Sequence, residues 1–320
     1  MNKRPIGTSG LEVAPLALGG NVFGWTADEA TSFRLLDAFV DAGGTMIDTA
    51  DVYSAWAPGN SGGESERVIG NWLKRSPEKR DKVVIATKVG FMAGLAPESI
   101  GPACDASLER LGVESIDLYY QHKDDEAVPL ADSLGAFERL VEAGKIKAIG
   151  LSQFTPERLD EAVETSRRLG LTPPSALQPW YNMVERAKFE DGLRDAALRH
   201  GLAVFPFYSL ANGFLTGKYR STGDVGKSVR GARNLEYLEG KGMRVLAALD
   251  AVAAETGAAL ATVTLAWTMA QPAITAPIAS ATSLEQLGEL TAALHLTLTP
   301  EQIGRLDAAS AETSASPVTS

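Results

Sequence analysis

The feature that most constrains this chain is a rhythm in which short apolar runs ending in polar residues alternate with longer stretches of helical period. The runs are LAL (16–18), TMID (45–48), VVIATK (83–88), IDLYYQH (116–122), IKAIGLS (146–152), SALQ (175–178), LAVFPFYS (202–209) and TAPIAS (275–280). Helical stretches follow them at 31–40, 64–74, 97–110, 130–143, 156–169, 189–199, between 242 and 269, and at 284–294. Strands alternating with amphipathic helices imply a parallel sheet with right-handed crossovers, and eight such units match a closed (β/α)8 TIM barrel. A length of 320 residues by itself allows one barrel or two smaller domains. No low-complexity linker divides the chain before the tail beyond Ala308, so one barrel domain over 1–320 is expected. A doubly wound open sheet would carry a G-x-G-x-x-G turn after its first strand; LGGNVFG has glycines at 19, 20 and 24, the wrong spacing. The opening KRPIGTSGLEVAPLAL breaks at Thr8-Ser9-Gly10, which predicts an N-terminal β-hairpin ahead of the barrel.

Side chains alternate between the faces of a strand, so counting back by two from each terminal polar residue gives the set that shares its face. From Lys88 this gives Ala86 and Val84; from Ser152, Gly150 and Ala148; from Gln178, Ala176; from Tyr208, Pro206 and Val204. These mostly small residues suit a barrel interior, and Val83, Ile85, Ile149, Leu151, Leu177, Phe205 and Phe207 suit packing under helices. Asp117 and Gln121 fall on the helix-facing parity. Polar residues at the C-terminal strand ends should then converge at the barrel mouth, where this architecture carries its chemistry: Asp48, Lys88, His122, Ser152, Gln178 and Tyr208, with Tyr53 just beyond. Singly, each has an ordinary reading as a solvated or satisfied group; their coincidence on one face is what points to a site.

Charge and composition narrow the partners. A formal net charge of −10 argues against nucleic acid or an anionic membrane, so any anionic ligand must meet a local basic patch. The single cysteine, Cys104, excludes an internal disulfide and a cysteine-based zinc site and fits a reducing compartment. Met1 to Gly10 lacks the apolar stretch of a signal peptide and no apolar run is long enough to span a bilayer, so a cytoplasmic protein is expected. No second histidine lies near His122 to complete a metal site, and none is expected.

A tyrosine, lysine, aspartate and histidine together suit proton transfer. A free phenol titrates near pH ~10, and a neighbouring ammonium is expected to lower that value by stabilising the phenolate. Tyr53 is therefore expected to be the general acid, Lys88 the group that tunes it, Asp48 the anchor of Lys88, and His122 either the partner of the substrate oxygen or a proton relay. A proton donor without an activated serine or thiolate suggests that the attacking species comes from elsewhere, such as a hydride from a reduced cofactor.

The motifs IGTSGL (6–11), DTADVY (48–53), TKVG (87–90), YYQH (119–122), GLSQF (150–154), LQPWYN (177–182), FYSLANGFLTGKY (207–219) and ASATSLEQL (279–287) resemble, in order, the signatures of the aldo-keto reductases. The resemblance covers essentially the whole chain. It implies a barrel that binds a nicotinamide dinucleotide without a Rossmann domain and reduces aldehydes or ketones, with Asp48, Tyr53, Lys88 and His122 as the catalytic four. By the same resemblance Gly20 and Asn21 approach the nicotinamide ribose beside Asp48, Ser152, Gln153 and Gln178 hold the carboxamide, and Tyr208 stacks on the ring. Ser209, Leu210, Asn212, Gly213 and Lys218 match the loop over the pyrophosphate, and Ser280, Thr282 and Gln286 match the adenosine end. NADP(H) is the first expectation and NAD(H) the second. The alternative within the family is a cofactor-sensing regulatory subunit like the potassium-channel β-subunits, some of which replace the histidine that this chain keeps.

Departures accompany the match. Gln153 stands where the family usually has asparagine, Ser280 replaces a glycine, Ser283 sits where many members have a basic residue, and Leu290 where an asparagine is common. Within the insert after the seventh strand, 209–241, the stretch from Lys218 to Arg233 gathers Lys218, Arg220, Lys227, Arg230 and Arg233 against one acid, Asp224, which reads as a basic belt over a bound cofactor. Trp25, Trp56 and Phe91 fall on mouth loops and would wall a substrate pocket with Tyr53 and His122, favouring aromatic or aliphatic carbonyls; ordinary loop packing is the other reading. Substrate identity, reaction direction and oligomeric state are not readable.

Overall fold

The computed structural model describes residues 2–312, so the final residues of the predicted tail lie outside the described residues. A two-stranded antiparallel hairpin, β1 (Arg4–Pro5) and β2 (Glu12–Val13), precedes the barrel. The parallel strands are β3 (Ala17–Gly19), β4 (Met46–Asp48), β5 (Val84–Val89), β6 (Ile116–Gln121), β7 (Ile146–Ser152), β8 (Ala176–Gln178), β9 (Ala203–Val204) and β10 (Ile278–Ala279). Their order is β10-β3-β4-β5-β6-β7-β8-β9. The ring closes through amides before and at the start of β10: Thr275 N donates to Val204 O at 2.8 Å and Ile278 N to Pro206 O at 2.9 Å. This is the expected barrel with its hairpin.

The outer layer contains α1 (Glu29–Asp41), α2 (Glu64–Arg75), α3 (Pro97–Leu111), α4 (Leu130–Glu142), α5 (Pro156–Leu169), α6 (Ala187–Glu190) and α7 (Leu193–His200). It is completed by α8 (Lys241–Thr256), α9 (Leu260–Ala270), α10 (Leu284–Ala292) and α11 (Pro300–Ser310). Local sequence sets the ends. Thr155 caps α5 by accepting from Arg158 N, Pro156 supplies a preset φ at the first helical position, and Gly170 ends the helix at φ 69°. The stretch read as one helix over 189–199 is broken by Gly192 at φ 89°, giving α6 and α7. Helix α11 was outside the eight-unit reading, although Thr299 and Gln302 form a capping box at its start. Among the described residues, no single helix is long and apolar enough to cross a membrane.

Inside the barrel, Ala17, Met46, Val84, Ala86, Leu118, Tyr120, Ala148, Ala176, Ala203 and Phe205 form one cluster, with Ile6 and Val13 of the hairpin in contact with it. The small residues leave room for Tyr120, whose ring lies against Gly150; a Cβ there would come within 2.3 Å of the ring. The alternation argument therefore holds for β5, β7 and β8. It fails for β9, where Phe205 points inward and Val204 outward. Regular strand stops at Val204, and Tyr208 has φ 58°, so counting by two from Tyr208 crosses non-strand backbone. Asp117 does face away from the interior; it is buried and held by Arg80 and Lys147.

Candidate active site

Two paired strand ends and the loop after β4 build the centre. Asp48 ends β4, Lys88 lies next to the end of β5, and their strands are paired, so the side chains emerge side by side. Lys88 is fully buried, and its Nζ donates to Asp48 Oδ2 at 2.7 Å, to Thr49 O at 2.7 Å and to Tyr53 Oη at 2.9 Å. These three acceptors match the three donors of an ammonium. Tyr53 is 3.4 Å from Asp48 Oδ2, a weak contact that leaves its proton free to turn elsewhere. The structure thus brings together Asp48, Tyr53 and Lys88 as the sequence anticipated. Thr49 was not anticipated, because a carbonyl ligand carries no side-chain signal.

The electrostatics correct one expectation. Tyr53 is pushed well above the usual phenol range, first by burial and then by the Asp48 charge, with Arg230 opposing. Burial lowers Lys88 from its usual value while Asp48 works against that shift. Lys88 was expected to make the resting phenol more acidic. Asp48, however, neutralises the ammonium at 2.7 Å, and removal from water dominates what remains. Tyr53 is consequently held as the neutral phenol.

His122 follows β6, its ring centroid 6.0 Å from that of Tyr53 and 4.8 Å from that of Phe91. Burial, with Lys88 and Lys123 adding, pushes it down to about 2, so the imidazole is neutral. Its Nδ1 is buried without a partner, which leaves Nε2 as the nitrogen for a ligand. Trp25 and Trp56 meet edge to face at 5.6 Å, and Trp56 lies 6.0 Å from Tyr53. The wall expected from Trp25, Trp56 and Phe91 therefore flanks Tyr53 and His122.

Beside this centre, Gln178 Nε2 donates to Asp48 Oδ1 at 2.8 Å and Ser152 Oγ to Gln178 O at 2.9 Å. Gln178 Oε1 and the Ser152 lone pairs remain as acceptors suited to a primary amide. Gln153, at φ 56°, uses its amide on His122 O at 3.0 Å, so the longer side chain braces the histidine loop. Tyr208 is half-buried, with Trp180 at 4.5 Å and Arg233 Nη1 donating to its Oη at 3.5 Å. Trp180 was missed: it stands between Pro179 and Tyr181 with no periodicity to mark it.

The segment 209–241 forms three short 3-10 turns, Ala211–Thr216, Thr222–Lys227 and Gly231–Tyr237. Asn212 (φ 54°) and Gly213 (φ 88°) are left-handed, and a Cβ on Gly213 would come within 3.0 Å of Lys218 Cε. Asn212 Oδ1 and Trp180 Nε1 are buried without partners. Ser209 does not present its hydroxyl, which donates to Pro206 O, and Leu210 packs against the core. The belt is narrower than its charge count suggested: Arg220 is committed to Asp250 and Lys227 to Asp224. Among the described residues, Lys218, Arg230 and Arg233 have no acidic partner, and Arg230 lies 5.2 Å over the Trp25 ring.

At the β10 end, Ser280 Oγ donates to Asn21 Oδ1 at 2.7 Å, joining two predicted cofactor residues beside Gly20. Thr282 donates through N and Oγ1 to Gln286 Oε1, at the start of α10. Amide acceptors on Ser152 and Gln178, a half-buried phenol ring and cations without acidic partners fit a nicotinamide dinucleotide in chemistry.

Comparison with known proteins agrees. A model described as the Aldo/keto reductase family matches residues 15–311. Similar proteins include "Uncharacterized oxidoreductase YrpG" of Bacillus subtilis (strain 168), 34% identical with 94% of each chain covered. Another is "L-glyceraldehyde 3-phosphate reductase" of Escherichia coli (strain K12), 30% identical over 96% of this chain and 92% of its own. A "Probable voltage-gated potassium channel subunit beta" of Oryza sativa subsp. japonica is 29% identical over 96% of both chains. The barrel and the match over nearly its whole length lead to one conclusion: the chain belongs to the aldo/keto reductase family.

Proposed function

We propose that this protein is an NAD(P)H-dependent carbonyl reductase that converts aldehydes or ketones to alcohols, with Tyr53 as general acid. The observation that carries the reading is the buried Lys88 ammonium shared between Asp48 and the Tyr53 hydroxyl. A reduced nicotinamide dinucleotide, when bound, supplies the hydride. Ser152 and Gln178 hold its carboxamide, Tyr208 offers a ring face, and Lys218, Arg230 and Arg233 meet its phosphates, with NADPH preferred and NADH second. The neutral His122 donates through Nε2 to the carbonyl oxygen and orients it toward Tyr53. A phenol with a raised pKa still gives up its proton readily here, because an alkoxide developing on the substrate is a far stronger base than a phenolate. Lys88 then stabilises the phenolate left behind, and Asp48 keeps Lys88 in place. The aromatic wall admits apolar carbonyl compounds in preference to small polar ones.

The test is a panel of aldehydes and ketones followed by loss of reduced-nicotinamide absorbance, run with NADPH and NADH in parallel. Turnover dependent on both carbonyl and cofactor is expected. Tight cofactor binding with no turnover on any carbonyl would favour the second reading, a cofactor-sensing subunit, which draws on relatives named as potassium channel β-subunits.

A further inference from the structure

Tyr208 lies past the end of β9, on backbone that no strand pairing holds. Its φ of 58° lies in the left-handed region, which is unfavourable for a residue with a Cβ, so the surrounding structure must impose it. Part of the restraint is backbone: Asn182 Nδ2 donates to the Tyr208 carbonyl at 3.1 Å, and Ala211 N donates to it at 2.7 Å. These contacts fix the main chain and leave the ring free about χ1 and χ2. The nearest aromatic contact on the ring is Trp180, whose centroid is 4.5 Å away at an interplanar angle of 61°; the Phe207 ring at 5.2 Å and Arg233 Nη1, 3.5 Å from the Tyr208 Oη, add to it. Trp180 is itself clamped. Its backbone pairs with Phe207, its ring meets Phe207 at 5.7 Å, and Lys188 Nζ sits 3.8 Å over its face. Its indole N–H is buried without an acceptor, so no hydrogen bond explains its place there; packing against Tyr208 does.

We propose that Trp180 is a positioning residue that sets the plane of the Tyr208 ring, and through it the affinity for the nicotinamide half of the dinucleotide. This rests on the cofactor reading above. An edge-to-face pair contributes a modest energy beyond its buried area, so the effect is graded. Lys188 keeps the indole in place by holding its face.

The experiment is isothermal titration of wild type, Trp180→Phe, Trp180→Ala and Lys188→Met with two ligands. One is NADPH; the other is 2′-phospho-ADP-ribose, which keeps the adenosine and pyrophosphate and lacks the nicotinamide. Trp180→Ala is expected to weaken NADPH binding on the order of 5-fold and to leave the truncated ligand unchanged, while Trp180→Phe, retaining an aromatic edge, stays within about 2-fold of wild type. Lys188→Met falls between them for NADPH alone. Equal loss for both ligands in Trp180→Ala would mean a general structural role and would overturn the proposal, as would no loss for either. If wild type binds the truncated ligand as tightly as NADPH, Tyr208 contributes nothing to ring binding and the proposal falls. If wild type binds neither, nor NADH in place of NADPH, the cofactor reading fails first and the proposal with it.

Discussion

Replacing Lys88 by methionine should damage the protein in a way that a second replacement partly repairs. Asp48 and Lys88 are 1% and 0% exposed, with Nζ 2.7 Å from Oδ2. At an effective dielectric of about 20, two unit charges at that separation attract by roughly 6 kcal/mol, and the cost of removing both from water offsets much of this. Lys88→Met removes the attraction and leaves the other cost in place. Asp48 would stay buried and charged with Gln178 and the long Tyr53 contact as its polar partners, and Thr49 O would lose its donor. The expected loss is about 3–5 kcal/mol, the range for breaking a buried pair from one side. In the Asp48→Asn/Lys88→Met double variant the stranded charge is gone, so it should be more stable than Lys88→Met alone by about 2 kcal/mol, though equally inactive. Urea unfolding followed by circular dichroism on wild type, Asp48→Asn, Lys88→Met and the double variant, at one pH and with m-values compared, gives the coupling energy. If the single losses add to the double loss within about 0.5 kcal/mol, the pair is not the unit described here.

Acidity supplies a second prediction with two opposing parts. His122 is neutral in the fold down to about 2 against an ordinary 6.5, so the unfolded chain alone takes up its proton as pH falls below 6.5, and stability drops by at most about 1.4 kcal/mol per unit. Asp51 is raised to about 6 from 3.8, first by burial and then by Glu66, so between those values the folded chain takes the proton first and stability rises as pH falls. The two nearly cancel from pH 6 to 4 in wild type, and Asp51→Asn should expose the His122 slope; urea midpoints across that window check it. Gly150→Ala places a methyl within 2.3 Å of the buried Tyr120 ring and should cost about 1–3 kcal/mol by overpacking, read from the same midpoints. In a series of straight-chain aldehydes, kcat/KM should rise by up to about 4-fold per methylene while the chain lies against the wall, and Trp56→Ala should flatten that rise; a series with no length dependence in wild type would argue against an apolar pocket.

The parts of this molecule that could be read from its sequence are those set by local period. A lysine closing VVIATK and an aspartate closing TMID both stand at strand ends, where their chemistry was expected to converge, and the structure sets Asp48 beside Lys88. The reading fails where backbone leaves the strand, as it does between Val204 and Tyr208. Charge counting overestimated the belt because Arg220 finds Asp250, thirty residues away on α8, and such a pairing has no local signature. Trp180 was invisible for a similar reason: its importance comes from Tyr208 and Lys188, which only the fold brings to it. The sign of the Tyr53 shift was misjudged because sequence shows which charges are near and not how far water is excluded. Helix α11 differs from these, since its capping box at Thr299 and Gln302 is a local signature that the sequence itself carries.

The central claim is that the Tyr53 hydroxyl delivers the proton, and single-turnover kinetics of Tyr53→Phe test it most directly. With enzyme and reduced cofactor preloaded and a productive carbonyl mixed in, the variant should bind cofactor as wild type does and consume it about 10²- to 10⁴-fold more slowly. Cofactor consumption at the wild-type rate by the phenylalanine variant would contradict the account.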